Sequence, residues 1–519
     1  MRGRRSRLSQ SADGVAGSPA LPPVWLLVAL QAAVSAASLV VEIVAGRMLA
    51  PYLGMSLYTW TAVIAVVLAG FSAGHWAGGR IAERPAGSAL LVTGWSMAAA
   101  ALTVAGATFL LRWSAGPVLT VLPQPVAAII VIATIVFFLP SFFAGIPSPV
   151  LARISVDSRP DQPGRALGAM FAAGAIGAIA GTLLAGFVFI SWLGSVATLG
   201  VVAVAYVAVA AILLLLSRRR GPGDLGAPGI VALAAIALTG VGLAAQSPCT
   251  RESRYFCIRV VDVSSDPGSP VRLMVLDHLV HGISARDQPQ VMFTAHASMI
   301  ESLARLRMGE RRFSAYFIGG GTFSIPRAWA GNEAIDVTVA EIDPVVTEIA
   351  ASDFWFDPAS ARVFDDDARR VLAVWSDRYD VIIGDAFTDI TVPAHLVTRE
   401  FFSLVAERLN PGGVYLMNVV DHAGRLHALA SIVRTLQDVF PVVEVWAERA
   451  EPDPGGQLVF IVLAGEAPTD TGTIEGLAPD PHTSTRLPQA ILDRMLKERA
   501  AVMLTDDYAP IDRLMGSLK

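Results

Sequence analysis

A multi-span α-helical membrane domain followed by an α/β domain is the fold class this sequence predicts, and three observations carry it. Apolar residues make up 54% of the 519 and charged residues only 16%, but the two are unevenly placed. Charges are sparse up to about Gln246 and reach ordinary soluble density from Arg251 onward. The first part holds seven stretches near the roughly 20 apolar residues a helix needs to cross a bilayer, and the second alternates strand-like with helix-like segments.

The predicted spans cover residues 24–46, 59–79, 88–111, 118–146, 166–190, 194–216 and 227–245, a membrane domain over 24–246. Six more spans follow the first, so it is not read as a cleaved signal peptide. "RGRRSR" precedes span one, Arg80 and Arg84 follow span two, Arg153, Arg159 and Arg165 separate spans four and five, and Arg218, Arg219 and Arg220 follow span six. Arginine-rich short loops stay cytoplasmic. Residues 1–23 are therefore expected as a cytoplasmic tail of a multi-pass cell-membrane protein. Seven crossings then place the carboxy-terminal part outside the cytoplasm. Glycines at four-residue intervals, Gly70–Gly74–Gly78, Gly164–Gly168 and Gly177–Gly181, predict close helix packing. Glu42 in span one and His75 in span two are ionisable groups at membrane depth. Glu42 is expected to meet Arg47 or a backbone partner.

Residues 247–310 read as a small β-rich segment with a linking helix. "YFCIRVVDVSS" and "VRLMVLDHLVHGIS" predict a sheet, and "VMFTAHASMIESLARLRM" an amphipathic helix. From 311 to 519, "SAYFIGG", "IDVTVAEID", "ARVFDDD", "YDVIIGDAF", "VYLMNVV", "VVEVWAE" and "LVFIVLAG" read as strands, with helices such as "PVVTEIAASDF" and "TREFFSLVAERL" between the earlier ones. That alternation predicts a parallel, Rossmann-like sheet covered on both faces, with its ligand at the carboxyl ends of the strands.

Candidate ligand residues sit at four such ends. Gly319, Gly320 and Gly321 follow the first strand, where glycine lets a backbone approach a ligand closely. Glu341 lies 22 residues after Gly319, the spacing of an acid that grips a ribose diol. Asp366 and Asp367 end the third strand near an adenine position, and Asp385, with Asp389 close behind, ends the fourth as a general-base candidate. The net charge of −5 and the lack of a basic stripe argue against nucleic acid as a partner. The two cysteines, Cys249 and Cys257, form neither a metal quartet nor a CxxC motif, and no metal is expected. They form a disulfide if the region faces an oxidising compartment, and are two separate thiols otherwise.

"GGGTFS", "VAEIDP", "DDDAR" and "YDVIIGDAFTDITVPAHLVTREFF" together resemble the spermidine synthases, the polyamine aminopropyltransferases, whose sheet is of the class I methyltransferase type. "LDHLVHGISARDQPQVMFTAH" resembles the family's segment linking a small sheet to the main fold. "EIVAGRMLAPYLGMSLYTW" and "LTDDYAPIDRL" resemble parts of membrane-fused spermidine synthase-like proteins. The resemblance implies that Gly319, Gly320, Gly321 and Glu341 hold decarboxylated S-adenosylmethionine. It implies that Asp367 or Asp366 contacts adenine and that Asp385 deprotonates the attacking amine, with Asp389 available for a second ammonium. The family's GGGDGG turn has Thr322, Phe323 and Ser324 in its last three positions here, and its Tyr-His-Glu polyamine run is Gln290, Val291 and Met292. His281 stands where the family has glutamine. His281 and Gln290 are thereby substrate-side candidates.

Three functions follow as expectations. The first is a membrane-bound aminopropyltransferase acting on a small-molecule amine or polyamine. The second is a non-catalytic polyamine or nucleoside sensing module coupled to a membrane domain. The third is an S-adenosylmethionine-dependent methyltransferase. The lipid bilayer is an expected partner, and self-association is left open.

Overall fold

The computed structural model describes residues 21–122, 124–218, 226–245, 247–387, 392–448, 456–476 and 482–515. They fall into two compact units. One takes the chain to Ala45 and from Ala62 to Ala245, and the other takes Gly46–Thr61 with everything after Gln246. The sequence reading assigned 46–61 to the membrane domain, and in the structure this segment groups with the carboxy-terminal unit.

The apolar part is built from α1 (Val24–Leu53), α2 (Leu57–Ala82), α3 (Ala86–Val121), α4 (Pro125–Gly145), α5 (Pro147–Asp157), α6 (Pro163–Leu184), α7 (Ile190–Arg218) and α8 (Gly226–Ala244). Six helices among the described residues are long and apolar enough to cross a membrane. One of them, Pro163–Arg218, has 56 residues and would measure about 84 Å, far more than one crossing requires. It contains a π-helical turn at Ala185–Phe189 and non-helical backbone at Gly194, with φ 74° and ψ 174°. That break divides it where the sequence separates spans five and six. The third helix continues through Arg112 to Val121, and the fourth starts at Pro125 rather than at 118. Proline suits a first helical position because its missing N–H would have no intrahelical partner there.

Two of the three glycine stripes mark close backbone contact. A Cβ at Gly74 would strike the carbonyl of Phe142, and Cβ atoms at Gly177 and Gly181 would strike the carbonyls of Ala32 and Ala36. Gly164 and Gly168 face open space, so that pair does not pack a helix. Trp25, Trp76, Trp113 and Trp192 are exposed near helix ends, as expected of side chains at a membrane–water boundary.

The second unit opens with a four-stranded antiparallel sheet, β1 (Arg251–Glu252), β2 (Cys257–Asp262), β3 (Val271–Leu276) and β4 (Leu279–Ala285). The β-rich stretch "VRLMVLDHLVHGIS" is folded at Asp277–His278 into a hairpin, with Asp277 at φ 53°. Asp277 Oδ1 accepts the Cys257 amide at 2.9 Å, which fixes the turn against β2. Helix α9 (Ala295–Met308) then leads into β5 (Phe313–Ile318), α10 (Ser324–Ala330), β6 (Ile335–Ala340), α11 (Pro344–Asp353), β7 (Arg362–Phe364), α12 (Ala368–Val374) and β8 (Tyr379–Gly384). After these come α13 (Arg399–Arg408), β9 (Leu409–His422), α14 (His427–Gln437), β10 (Val442–Ala447), β11 (Gln457–Gly465), β12 (Thr473–Gly476), β13 (His482–Arg486), α15 (Gln489–Glu498) and α16 (Ile511–Met515).

The nine-stranded sheet has the order β12-β13-β10-β11-β9-β8-β5-β6-β7. Pairing is parallel from β9 to β7 and antiparallel from β9 outward through β11 and β10. The expectation of a parallel sheet therefore fails for "VVEVWAE" and "LVFIVLAG": the two strands are too close in sequence, Ala447 to Gln457, for the dozen or more residues of a parallel crossover. Along β5, Tyr316 and Ile318 enter the core on one face, and Ala315 and Phe317 the core on the other. Burial on both faces explains why the strand is a continuous apolar run. The chain leaves β5 toward β6 and β7, then returns to β8 on the other side of β5. This reversal opens a crevice at the carboxyl ends of β5 and β8, where ligands of such sheets bind.

Candidate active site

The turn after β5 is shaped by what surrounds it. Gly319 (φ 93°) and Gly321 (φ 51°) take left-handed backbone conformations, and a Cβ at Gly319 would lie 2.6 Å from the Asp385 carbonyl. A side chain at that position would push apart the two strand ends that frame the crevice. Glu341, at the end of β6, accepts the Gly320 N–H at 2.8 Å and the Asp343 N–H at 3.0 Å. It is buried, and burial pushes its carboxyl up to about 7, against the pull of those N–H groups. Asp343 caps α11 by accepting the Val345 N–H at 3.1 Å and also accepts the Ser253 hydroxyl.

Asp367 caps α12 through the Arg370 N–H at 2.8 Å and lies 2.8 Å from His395 Nε2. The hydrogen bond from His395 holds its carboxyl below the usual range. The two aspartates left open as adenine contacts differ here: Asp367 lines the cavity, whereas Asp366 turns to the Asp367 N–H and Arg370 and is not in its wall. Asp506, in the carboxy-terminal "LTDDYAP" stretch, braces this region through a two-pronged pair with Arg369 at 2.7 and 2.6 Å.

Asp385 follows β8. Its N–H donates to Ile318 O at 3.0 Å, which ties the two strand ends together. One carboxylate oxygen accepts Asn418 Nδ2 at 2.8 Å, and the other lies 3.8 Å from His296 Nε2. His281, on β4, faces the same cavity and is held down to about 4, because burial disfavours imidazolium more than Asp385 favours it. It is neutral at physiological pH. Asp389 lies outside the described residues.

These groups line one cavity of about 560 Å³, within the size range of small-molecule sites. At the strand ends its wall is Gly319–Gly320–Gly321, Glu341, Asp367 and Asp385, with Phe387, Pro393 and Leu396 as apolar surface. The lining also includes Met55, Tyr255, Phe256, Leu279, Val280 and Val459. The Tyr255–Phe256 wall is braced from several directions. Cys249 and Cys257 are joined in a disulfide on either side of it. Arg47 donates to the Ser253 carbonyl at 3.0 Å and to the Tyr255 carbonyl, so its backbone partners are in this loop.

The substrate-side residues implied by the resemblance behave differently from His281. Gln290 Nε2 donates to Ala328 O at 3.4 Å and is not in the cavity wall, and Met292 is buried in the core. Thr322, at the family's aspartate position, is buried against Gly282 and bonds the Ser324 hydroxyl at 2.7 Å. Sequence reasoning missed His296, His395, Asn418 and Met55. Asn418 had a readable signal, since a polar side chain inside the apolar run "VYLMNVV" needs a partner when buried. No spacing rule singled out the other three.

Comparison with known proteins fits this geometry. Residues 332–470 match the spermine/spermidine synthase domain. A probable polyamine aminopropyl transferase of Bifidobacterium longum is 37% identical over 119 residues, 23% of this chain and 26% of that protein. The polyamine aminopropyltransferase of Vibrio vulnificus is 35% identical over 122 residues, 22% of this chain and 41% of that protein. Putrescine N-methyltransferase 2 of Nicotiana tabacum is 29% identical over 139 residues, 25% of this chain and 39% of that protein. The chain thus spans less than half the length of these curated relatives, all named as transferases. A probable spermidine synthase structure from Corynebacterium glutamicum is 21% identical, covers 50% of this chain and 96% of its own, and has a TM-score of 0.43. Among the described residues no group of histidine, cysteine or acidic side chains is arranged to hold a metal ion.

Proposed function

We propose that this chain is a membrane-bound aminopropyltransferase that uses decarboxylated S-adenosylmethionine as co-substrate. The observation that carries the reading is Asp385: a carboxylate at the crevice between β5 and β8, oriented by Asn418 and facing the glycine turn. The residues suit the co-substrate. In this reading Glu341 offers a carboxylate for the ribose hydroxyls, Asp367 accepts from the adenine amino group, and Phe387, Pro393 and Leu396 flank the ring.

Asp385 takes the proton of the acceptor ammonium, which frees the nitrogen lone pair. The nitrogen attacks the propyl carbon bonded to sulfur. A C–N bond forms, the C–S bond breaks with its electrons going to sulfur, and 5′-methylthioadenosine leaves. His281, kept neutral, adds no positive charge to repel the ammonium. Asn418 holds one oxygen of Asp385, which leaves the oxygen on the His296 side to take the proton.

A methyltransferase is the second reading, and Thr322 favours it. Its burial leaves that position without a carboxylate for the amino end of a propyl group. The nucleoside product separates the readings: methylthioadenosine for aminopropyl transfer, S-adenosylhomocysteine for methyl transfer. Nucleoside binding without either product would identify the sensing module instead.

In this reading the transferase unit faces away from the cytoplasm. The grouping of Gly46–Thr61 with the carboxy-terminal unit supports this. Both must lie on one side, so an even number of crossings must separate residues 61 and 246. Dividing Pro163–Arg218 at Gly194 gives six. The Cys249–Cys257 disulfide agrees with an oxidising compartment.

A further inference from the structure

A proton that reaches Asp385 does not stay there easily. An ammonium group is a far weaker acid than a carboxylic acid. The state with a neutral amine and a protonated carboxyl is therefore sparsely populated. Any group that draws the proton onward raises the share of amine able to attack. Imidazole suits that task, since it ordinarily holds a proton more tightly than a carboxylate does, by about 2.6 pKa units in small peptides. Two imidazoles, His281 and His296, line the cavity with Asp385.

Their surroundings separate them. His281, on β4, is held down to about 4 by burial, so it does not keep a proton at physiological pH. His296 is the second residue of α9, and its side chain is 19% exposed. Its Nε2 lies 3.8 Å from the Asp385 oxygen that Asn418 does not hold. That gap is longer than a hydrogen bond, and contacts of this kind commonly tighten when substrate binds. Nε2 also lies 3.3 Å from the Thr294 hydroxyl. A hydroxyl donates to a neutral ring nitrogen and accepts from a protonated one, so Thr294 serves both states. A second cavity of about 30 Å³ shares His296 and Asp385 with the first and adds the hydroxyls of Thr294, Thr322 and Ser324. It has the size and polarity to admit water.

We infer that His296 takes the proton onward from Asp385, so that the two side chains form a relay during amine attack. This rests on the transferase reading above and adds a positioning residue that acts through Asp385. The ammonium N–H bond breaks and its proton goes to Asp385 Oδ2. The proton then passes from Oδ2 to His296 Nε2, which leaves an imidazolium beside a restored carboxylate. The imidazolium gives the proton to water, and both groups return to their starting forms. The amino end of α9 disfavours a cation at His296, and the restored Asp385 carboxylate offsets this.

The test is steady-state kinetics of the full chain in nanodiscs, following methylthioadenosine released from decarboxylated S-adenosylmethionine with putrescine or spermidine as the amine. His296→Gln should lower kcat on the order of 10²-fold, the lower end of what a positioned proton-transfer group contributes. Methylthioadenosine affinity should stay nearly unchanged, which reports that the variant is folded. In His296→Ala, free imidazole should restore kcat at least about tenfold, and more basic methylimidazoles should restore more. A merely structural role gives no rescue that follows basicity. Unchanged kcat in both variants, or a loss that no imidazole restores, would overturn the relay and leave the transferase standing. No methylthioadenosine from the unaltered chain with either amine would remove the transferase reading itself.

Discussion

Titrating nucleoside binding against pH probes Glu341 directly. Burial raises this carboxyl to about 7 from its ordinary 4.5. The folded state therefore favours the neutral acid, and the group's contribution to stability is greatest below about pH 4.5 and lost as pH rises toward 7. Holding it ionised above that range costs on the order of 3 kcal/mol, at about 1.4 kcal/mol per pKa unit. Ribose hydroxyls donate hydrogen bonds, so the ionised form is the one that binds. At about pH 6 roughly a tenth of the group is ionised, and affinity should be about tenfold weaker than at about pH 8, near 1.4 kcal/mol. Calorimetry with 5′-methylthioadenosine suits the measurement, since this ligand has no amine or carboxylate titrating in that window. Glu341→Gln should bind more weakly and lose the pH dependence, because an amide does not titrate and cannot accept from both Gly320 and Asp343 with both ends. Flat affinity from pH 6 to 8, or the same slope in the glutamine variant, would refute the reasoning.

Three other outcomes follow from the same geometry. Asp385→Asn should lower turnover by about 10²–10⁴-fold with methylthioadenosine affinity nearly unchanged, since asparagine keeps the shape and cannot take the proton; single-turnover kinetics beside calorimetry checks both halves. Replacing Cys249 and Cys257 by serine should cost on the order of 2–3 kcal/mol and raise the acceptor KM, because Tyr255 and Phe256 lie between them; an unchanged melting temperature in the double variant counts against the brace. Arg47→Ala strips the partner from two carbonyls and should cost about 1–3 kcal/mol, read as earlier thermal unfolding of the carboxy-terminal unit.

Much of the fold was legible because periodicity carries it. Long apolar runs marked the helices, and both-face burial made the later parts of β5 and β8 continuous apolar runs. The glycine turn, Glu341, Asp367 and Asp385 were legible because each stands at a strand end, and strand ends meet at one crevice. What could not be read was pairing direction beyond β9, since two consecutive apolar strands look alike whether parallel or antiparallel. Gln290 lies outside the cavity wall for a related reason. Its neighbours resemble a substrate-contact run in spacing, but Met292 is apolar and is drawn into the core, which turns Gln290 to the Ala328 carbonyl. Met55 lies about 200 residues away in sequence from the rest of its wall, and no local pattern announces such a meeting.

The central claim is that the crevice at Asp385 transfers an aminopropyl group. Its most direct test is mass spectrometry of the nucleoside released by the full chain in nanodiscs supplied with an amine and with either decarboxylated S-adenosylmethionine or S-adenosylmethionine. The account predicts 5′-methylthioadenosine from the decarboxylated compound, matched by an amine heavier by one aminopropyl group, and both lost in Asp385→Asn. S-adenosylhomocysteine from S-adenosylmethionine, with no methylthioadenosine from its decarboxylated relative, would contradict it.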